Sequence, residues 1–197
     1  IGEDEDIVNL SDPPYYTACP NPWLNDFIVE WEKEKVQLEN EGKRKKDFDV
    51  KEPYASDVSE GKNNPIYNAH SYHTKVPHPA IMRYILHYTQ PGDIIYDGFA
   101  GTGMTGVAAS LCDSAANDVG TKIQKEFSKS GEHIIFGKRH AFLSDLSPSA
   151  SLISAVYNTP LDNNYTGVIS GILEACKKKY GWMYETKHTD GNIAKIN

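Results

Sequence analysis

One short stretch limits the possible folds of this chain more than any other. The run Asp93-Ile94-Ile95-Tyr96-Asp97 reads as a buried strand and leads straight into Gly98-Phe99-Ala100-Gly101-Thr102-Gly103. The Ala-, Thr- and Val-rich segment from Gly101 to Leu111 then has the composition of a helix. Strand, glycine turn and helix in that order make the first unit of a parallel α/β sheet, because a turn this tight needs residues without a Cβ. The expected fold class is therefore α/β. Its ligand edge lies where the strand ends.

The remaining pattern agrees with such a sheet. Ile7 to Ser11 reads as a short buried strand that stops at Pro13-Pro14, and Ala141-Phe142-Leu143-Ser144-Asp145 as another strand ending in an acid. Helices are expected from about Pro22 to Arg44, around Ile81, Met82, Ile85 and Leu86 up to Pro91-Gly92, from Ser147-Pro148 to about Tyr157, and from Asn163 to Lys179. Trp182 to Thr186 is a weak strand candidate. Residues from about 47 to 71, with Pro53, Gly61 and Pro65, read as a long polar loop, and 113–140 as an insertion ahead of the strand that ends at Asp145.

Composition narrows the class. A chain of 197 residues, 39% hydrophobic, supports one domain with a real core. It opens on Ile1 and stops within what reads as the start of an element, so a piece of a longer protein is expected. No run approaches the roughly 18 apolar residues of a membrane span, and no signal peptide opens the chain, so a cytoplasmic protein with no membrane partner is expected. Cys19, Cys112 and Cys176 are odd in number and far apart, which indicates neither a disulfide framework nor a metal site. The net charge of −7 argues against unaided gripping of a long stretch of DNA. The basic clusters Lys43 to Lys46 and Lys177 to Lys179 read first as solvated faces.

The turn lacks both the third glycine of a dinucleotide fingerprint and the Lys-Ser/Thr of a phosphate loop, and it carries Asp97 at the strand end. A carboxylate there suits a ligand with a positive group, such as the amino group of S-adenosylmethionine, better than a pyrophosphate. Asp145 sits where an acid accepts hydrogen bonds from ribose hydroxyls. The alternative is that it only caps the helix near Pro148. Thr74 and Lys75, in the polar run before the helix that precedes the glycine strand, are candidates for the carboxylate end of the cofactor, or else simply residues of a helix-leading loop.

At the far end of the first strand stands Asp12-Pro13-Pro14-Tyr15. An exocyclic amine of adenine or cytosine is a poor nucleophile, because its lone pair is delocalised into the ring. Acceptors that bind both amine hydrogens favour the pyramidal nitrogen that attacks a methyl group, and the Asp12 carboxylate with the Pro13 carbonyl is such a pair on a stiffened turn. Tyr15 offers a face for an extruded base, with Tyr16 able to assist.

On these motifs the chain resembles the amino-type DNA methyltransferases that modify adenine N6 or cytosine N4, in their D-P-P-Y branch. Asp12 to Tyr15 matches the catalytic motif, Asp97 to Gly103 the D-x-F-x-G-x-G cofactor motif, Thr74 to Pro77 a T-x-K-P-like segment, and Ser144-Asp145-Leu146-Ser147-Pro148 the acidic ribose motif. The resemblance implies a Rossmann-like S-adenosylmethionine-dependent fold across 1–197, the cofactor half together with the D-P-P-Y strand. It also implies DNA as partner, S-adenosylhomocysteine as product and a restriction-modification setting. Cofactor binding is expected at Asp97, Gly98, Phe99, Ala100, Gly101, Thr102, Gly103, Asp145, Leu146, Thr74 and Lys75. The order of motifs resembles the permuted β group, yet Tyr15 to Tyr72 leaves no room for the remaining catalytic-half strands and a target-recognition domain, so an incomplete sheet is expected. Larger bacterial adenine-specific methylases share this wording and continue into further domains, including a zinc ribbon and a later D-P-P-like motif. Adenine is favoured on the resemblance. An RNA or protein methyltransferase, and a non-catalytic domain serving assembly or DNA binding, are the other readings.

Overall fold

The computed structural model describes residues 23–56, 58–60, 63–161 and 164–195. The expected strand Ile7 to Ser11 and the Asp12 to Tyr16 motif fall outside them. Contacts divide the chain into two compact units, Ile1–Asn158 and Thr159–Asn197.

In the first unit, β1 (Ile94–Asp97) and β2 (His140–Leu143) form a two-stranded parallel sheet, with Ile94 opposite His140 and Asp97 opposite Leu143. A parallel pair needs a crossover. Here it consists of α4 (Met104–Leu111) and α5 (Asp118–Ser130). Before β1 come α1 (Leu24–Asn40), the single turn α2 (Pro65–Asn68) and α3 (His78–Tyr88), and after β2 comes α6 (Pro148–Asn158). The protein is thus mixed α/β with a small parallel sheet.

The core forms where α3, α4 and α5 meet. Met82, Ile85 and Leu86 of α3 pack with Ala108 and Ala109 of α4, Cys112, and Ile123 and Phe127 of α5, and Ile95 and Ala141 add one face of the sheet. Burial pushes the Cys112 thiol up to about 12, so it behaves as a core hydrophobe and not as a nucleophile. On the other face, Tyr96 and Phe142 stack with ring centroids 5.6 Å apart. His140 is covered by Trp31 of α1, stacked at 4.5 Å, and meets Glu34 at 2.7 Å through Nε2.

Helix α5 is the main element that the sequence reading left as polar insertion. Its apolar residues Val119, Ile123 and Phe127 recur every four positions. Asn117 accepts from Gly120 N–H at 2.7 Å as N-cap, and Gly131 closes the helix at φ +77°. Those signals were present but diluted by five Lys, Gln and Glu side chains in the same window. The long polar loop is tied to the body over much of its length. Glu60 bridges Arg83 at 2.7 Å and Lys122 at 3.1 Å, the Glu52 carbonyl meets His87 Nε2, and Tyr54 stacks on Phe127. Within the basic cluster, Arg44 is no solvated residue. It donates to the Pro91 carbonyl and to Asp93, fastening the chain after α1 to the turn before β1.

The second unit holds α7 (Tyr165–Tyr180), a 3₁₀ turn (Gly181–Tyr184) and an antiparallel hairpin of β3 (Glu185–Lys187) and β4 (Ile193–Lys195). Lys177, Lys178 and Lys179 occupy the last turn of α7, where positive charge complements the helix dipole. Among the described residues no helix is long and apolar enough to cross a membrane.

Candidate active site

The parallel register brings Asp97 and Asp145 to the same carboxyl edge of the sheet. Ladder bonding continues past the strands: Ser144 N–H donates to Asp97 O, and Ala100 N–H donates to Ser144 O, each at 3.0 Å. The glycine turn therefore lies directly against the chain leaving β2.

The turn takes its shape from glycines and carboxylates. Gly101 and Gly103 have φ of +53° and +81°, conformations that side chains with a Cβ resist. For this reason the helix begins at Met104 and not at Gly101. Asp97 staples the turn from within, with Oδ1 accepting from Phe99 N–H at 3.1 Å and Oδ2 from the Thr105 hydroxyl at 2.5 Å. Asp145 holds it from outside, with Oδ2 accepting from Gly101 N–H at 2.8 Å and Oδ1 from Ser147 N–H at 2.9 Å. The cap of α6 is thus shared. Ser147 Oγ faces Ala150 N–H at 3.4 Å, while Asp145 makes the preceding turn and still reaches the glycine loop. Each carboxylate oxygen has one donor here and can accept another.

The two glycines do different jobs. A Cβ on Gly103 would collide with Ser154 and lie 2.6 Å from Asn158 Nδ2, and one on Gly106 would lie 2.7 Å from Leu143. Both therefore serve close packing of α4 against α6 and β2, reinforced by Asn158 Nδ2 donating to Gly103 O at 3.1 Å. Gly101 lines the cavity with its backbone, and its missing Cβ faces the ring of Tyr72 at 3.4 Å. The Thr102 hydroxyl is buried and has no hydrogen-bond partner among the described residues.

A cavity of about 380 Å³ opens beside this edge. Ala100, Gly101, Ser144 and Asp145 form its polar rim, α6 contributes Ser154 and Asn158, and Leu24, Phe27 and Trp31 of α1 close it. Phe99 and Leu146, expected near a cofactor, are 86% and 70% exposed at the same sheet edge. Thr74 is exposed, and the Lys75 ammonium is turned to the Tyr67 and His70 carbonyls and over the Tyr67 ring at 4.4 Å. The sequence reading missed Thr105, Ser154 and Asn158. Only Thr105 carried a signal, as a hydroxyl in the first turn of a helix that opens beside an acid.

A parallel α/β edge with two acids around a glycine turn, beside an apolar-walled cavity, is an arrangement in which open α/β sheets commonly bind ligands. The family model described as DNA methylase, of the N6/N4 amino type, matches residues 5–133, well over half of the chain, and the chain belongs to that family. It is accordingly a DNA methyltransferase of the adenine-N6 or cytosine-N4 kind. The match spans Asp12 to Tyr15, Thr74-Lys75 and the glycine turn, while Asp145 lies beyond it. No curated protein and no solved structure matches the chain.

Proposed function

We propose that the chain binds S-adenosylmethionine in the cavity between the glycine turn and Asp145, and transfers its methyl group to the N6 amine of an adenine turned out of DNA. One observation carries this reading: Gly101 and Asp145 share a cavity with the first turn of α1. Leu24 follows Tyr15 by a tether that can span roughly 30 Å at full extension, a length that allows Asp12 to Tyr15 to reach that edge. In the same proposal Ile7 to Ser11 adds to the parallel sheet, giving a Rossmann-like fold, and a cytoplasmic location goes with a DNA substrate.

The residues present fit the cofactor. Asp145 retains acceptor capacity for ribose hydroxyls, Asp97 for a cationic amino group, and the orphaned Thr102 hydroxyl lies in the turn between them. The remaining turn residues, Gly98, Phe99, Ala100 and Gly103, shape the cradle, with Leu146 an apolar neighbour. Thr74 serves the methionine end, and Lys75 secures the loop that carries it.

When bound, S-adenosylmethionine supplies an electrophilic methyl group. The chain's own work is on the amine. Asp12 and the Pro13 carbonyl accept the two amine hydrogens and turn the nitrogen lone pair toward the methyl carbon, Pro14 keeps the turn rigid, and Tyr15, assisted by Tyr16, holds the extruded base. In this reading Asp12 would also accept the proton that the amine sheds on methylation.

The test is transfer of labelled methyl to unmodified DNA, with digestion to nucleosides, by wild-type and Asp12→Ala protein. Label in N6-methyladenine with the wild type and none with the variant is the expected result. Label in N4-methylcytosine overturns the adenine assignment. Equal label from both proteins overturns the role of Asp12.

A further inference from the structure

A DNA methylase must hold phosphates, yet all three arginines of this chain are spent inside the fold. Arg44 is bound to Asp93, and Arg83 to Glu60 and Glu126. Arg139, 4% exposed, donates to the carbonyls of Thr89, Ile135 and Gly137. Several lysines of the first unit are committed in the same way: Lys43 to Glu41, Lys122 to Glu60, and Lys75 to the carbonyls of Tyr67 and His70. Among the described residues no lysine or arginine lines the cavity at the sheet edge.

The second unit differs. Residues 177–188 hold four lysines against one glutamate, in a chain of net charge −7. Lys177 reaches Glu174 at 3.3 Å, while Lys178, Lys179 and Lys187 are exposed and have no carboxylate within ion-pair distance among the described residues. Between these lysines stand three rings, Tyr180, Trp182 and Tyr184, that are 41%, 66% and 64% exposed. The unit offers them no core, since neither α7 nor the 3₁₀ turn after it buries a residue. The Lys179 ammonium lies 5.1 Å from the centre of the Tyr180 ring, so a cation and an aromatic face stand side by side. Exposed apolar surface of this kind marks a docking site, and its lysines select a polyanion. Duplex DNA presents phosphates but keeps its base faces stacked, whereas a strand with unpaired bases presents both.

We propose that residues 177–188 bind a DNA strand with unpaired bases, with Lys178, Lys179 and Lys187 on its phosphates and Trp182 and Tyr184 stacked on its bases. An enzyme that turns a base out of a duplex creates such positions. The surface lies outside residues 5–133, which the family model matches. It rests on DNA being the substrate and not on the cofactor cavity, so the failure of either reading leaves the other standing.

The test is fluorescence anisotropy of a labelled single-stranded oligonucleotide titrated with the full chain over a range of salt, with the matching duplex as competitor. Tighter binding of the single strand is expected. Lys178→Gln/Lys179→Gln/Lys187→Gln should reduce the slope of log K against log salt by about 2, since each phosphate contact on a single strand contributes about 0.7. Trp182→Ala should weaken the single strand by at least about fivefold with that slope unchanged, and Trp182→Phe should restore most of the loss. Lys125→Gln/Lys129→Gln, which removes two exposed charges on α5, should change affinity by less than about twofold. Circular dichroism and the thermal midpoint of each variant report whether the fold survives.

Three outcomes would overturn the proposal: the duplex binding as tightly as the single strand, Trp182→Ala binding as tightly as wild type, or the α5 pair losing as much affinity as the triple variant. Wild-type protein that binds no DNA but self-associates in sedimentation, with Trp182→Ala monomeric, would overturn it too and give the surface to a second copy of the chain.

Discussion

The carboxylate of Asp145 ties the glycine turn to the start of α6, accepting from Gly101 N–H and from Ser147 N–H, and this makes it the most informative side chain at the edge. Removing it strips an acceptor from Gly101 N–H and from any ribose bound there. Asp145→Ala should weaken S-adenosylmethionine by roughly 1–3 kcal/mol, the scale of hydrogen bonds to a charged group, read by calorimetric titration. Asp145→Asn should keep part of it, since an amide oxygen still accepts. Gly103 fails differently. Gly103→Ala forces a Cβ into Ser154 and Asn158 in a left-handed conformation, so it should cost stability by about 2–4 kcal/mol in denaturant unfolding, adding backbone strain to overpacking. The sequence showed that both glycines mattered but not that they serve different neighbours. Gly103's partners come from α6, some fifty residues on, and no local pattern announces them.

Among the elements, α3 carries the burden of joining loop, core and α5. His78 opens it fully buried, with Nδ1 lacking a partner among the described residues, and burial holds its pKa below the usual histidine value, against a smaller opposing pull from Glu60. A histidine depressed in the folded state contributes stability that is complete above its unfolded pKa of about 6.5 and is lost as pH falls through the folded value. The thermal midpoint should therefore drop as pH is lowered below about 6.5, and His78→Gln should flatten that dependence. Farther along α3, Arg83 is 5% exposed between Glu60 and Glu126. Glu60→Ala should free the long loop to proteolysis and cost about 1–3 kcal/mol, Glu126 and the Pro79 carbonyl limiting the loss. Helices α1, α3, α4, α6 and α7 were legible in the sequence because apolar spacing and Pro or Gly stops coincide there. The attachment of the loop was not, since Glu60, Arg83 and Lys122 look like ordinary surface charges until the fold brings them together.

For the molecule as a whole, the carboxyl edge of the β1–β2 sheet is the functional centre under the proposed function. The strand–turn–helix that fixes this edge was readable from seven residues, Asp97 to Gly103, as was the acid at Asp145, because a parallel α/β topology leaves few places for such a motif. What the sequence concealed is the wall of the cavity, made by α1 from one side and α6 from the other. The most direct test of the account is calorimetric titration of wild-type and Gly101→Leu protein with S-adenosylmethionine and S-adenosylhomocysteine. Saturable binding to the wild type and none to Gly101→Leu, with the fold of both confirmed by circular dichroism, is the result predicted. Binding of equal strength to both proteins would contradict it, because a leucine at φ +53°, facing Tyr72 beside the cavity, cannot leave a site built on that backbone intact.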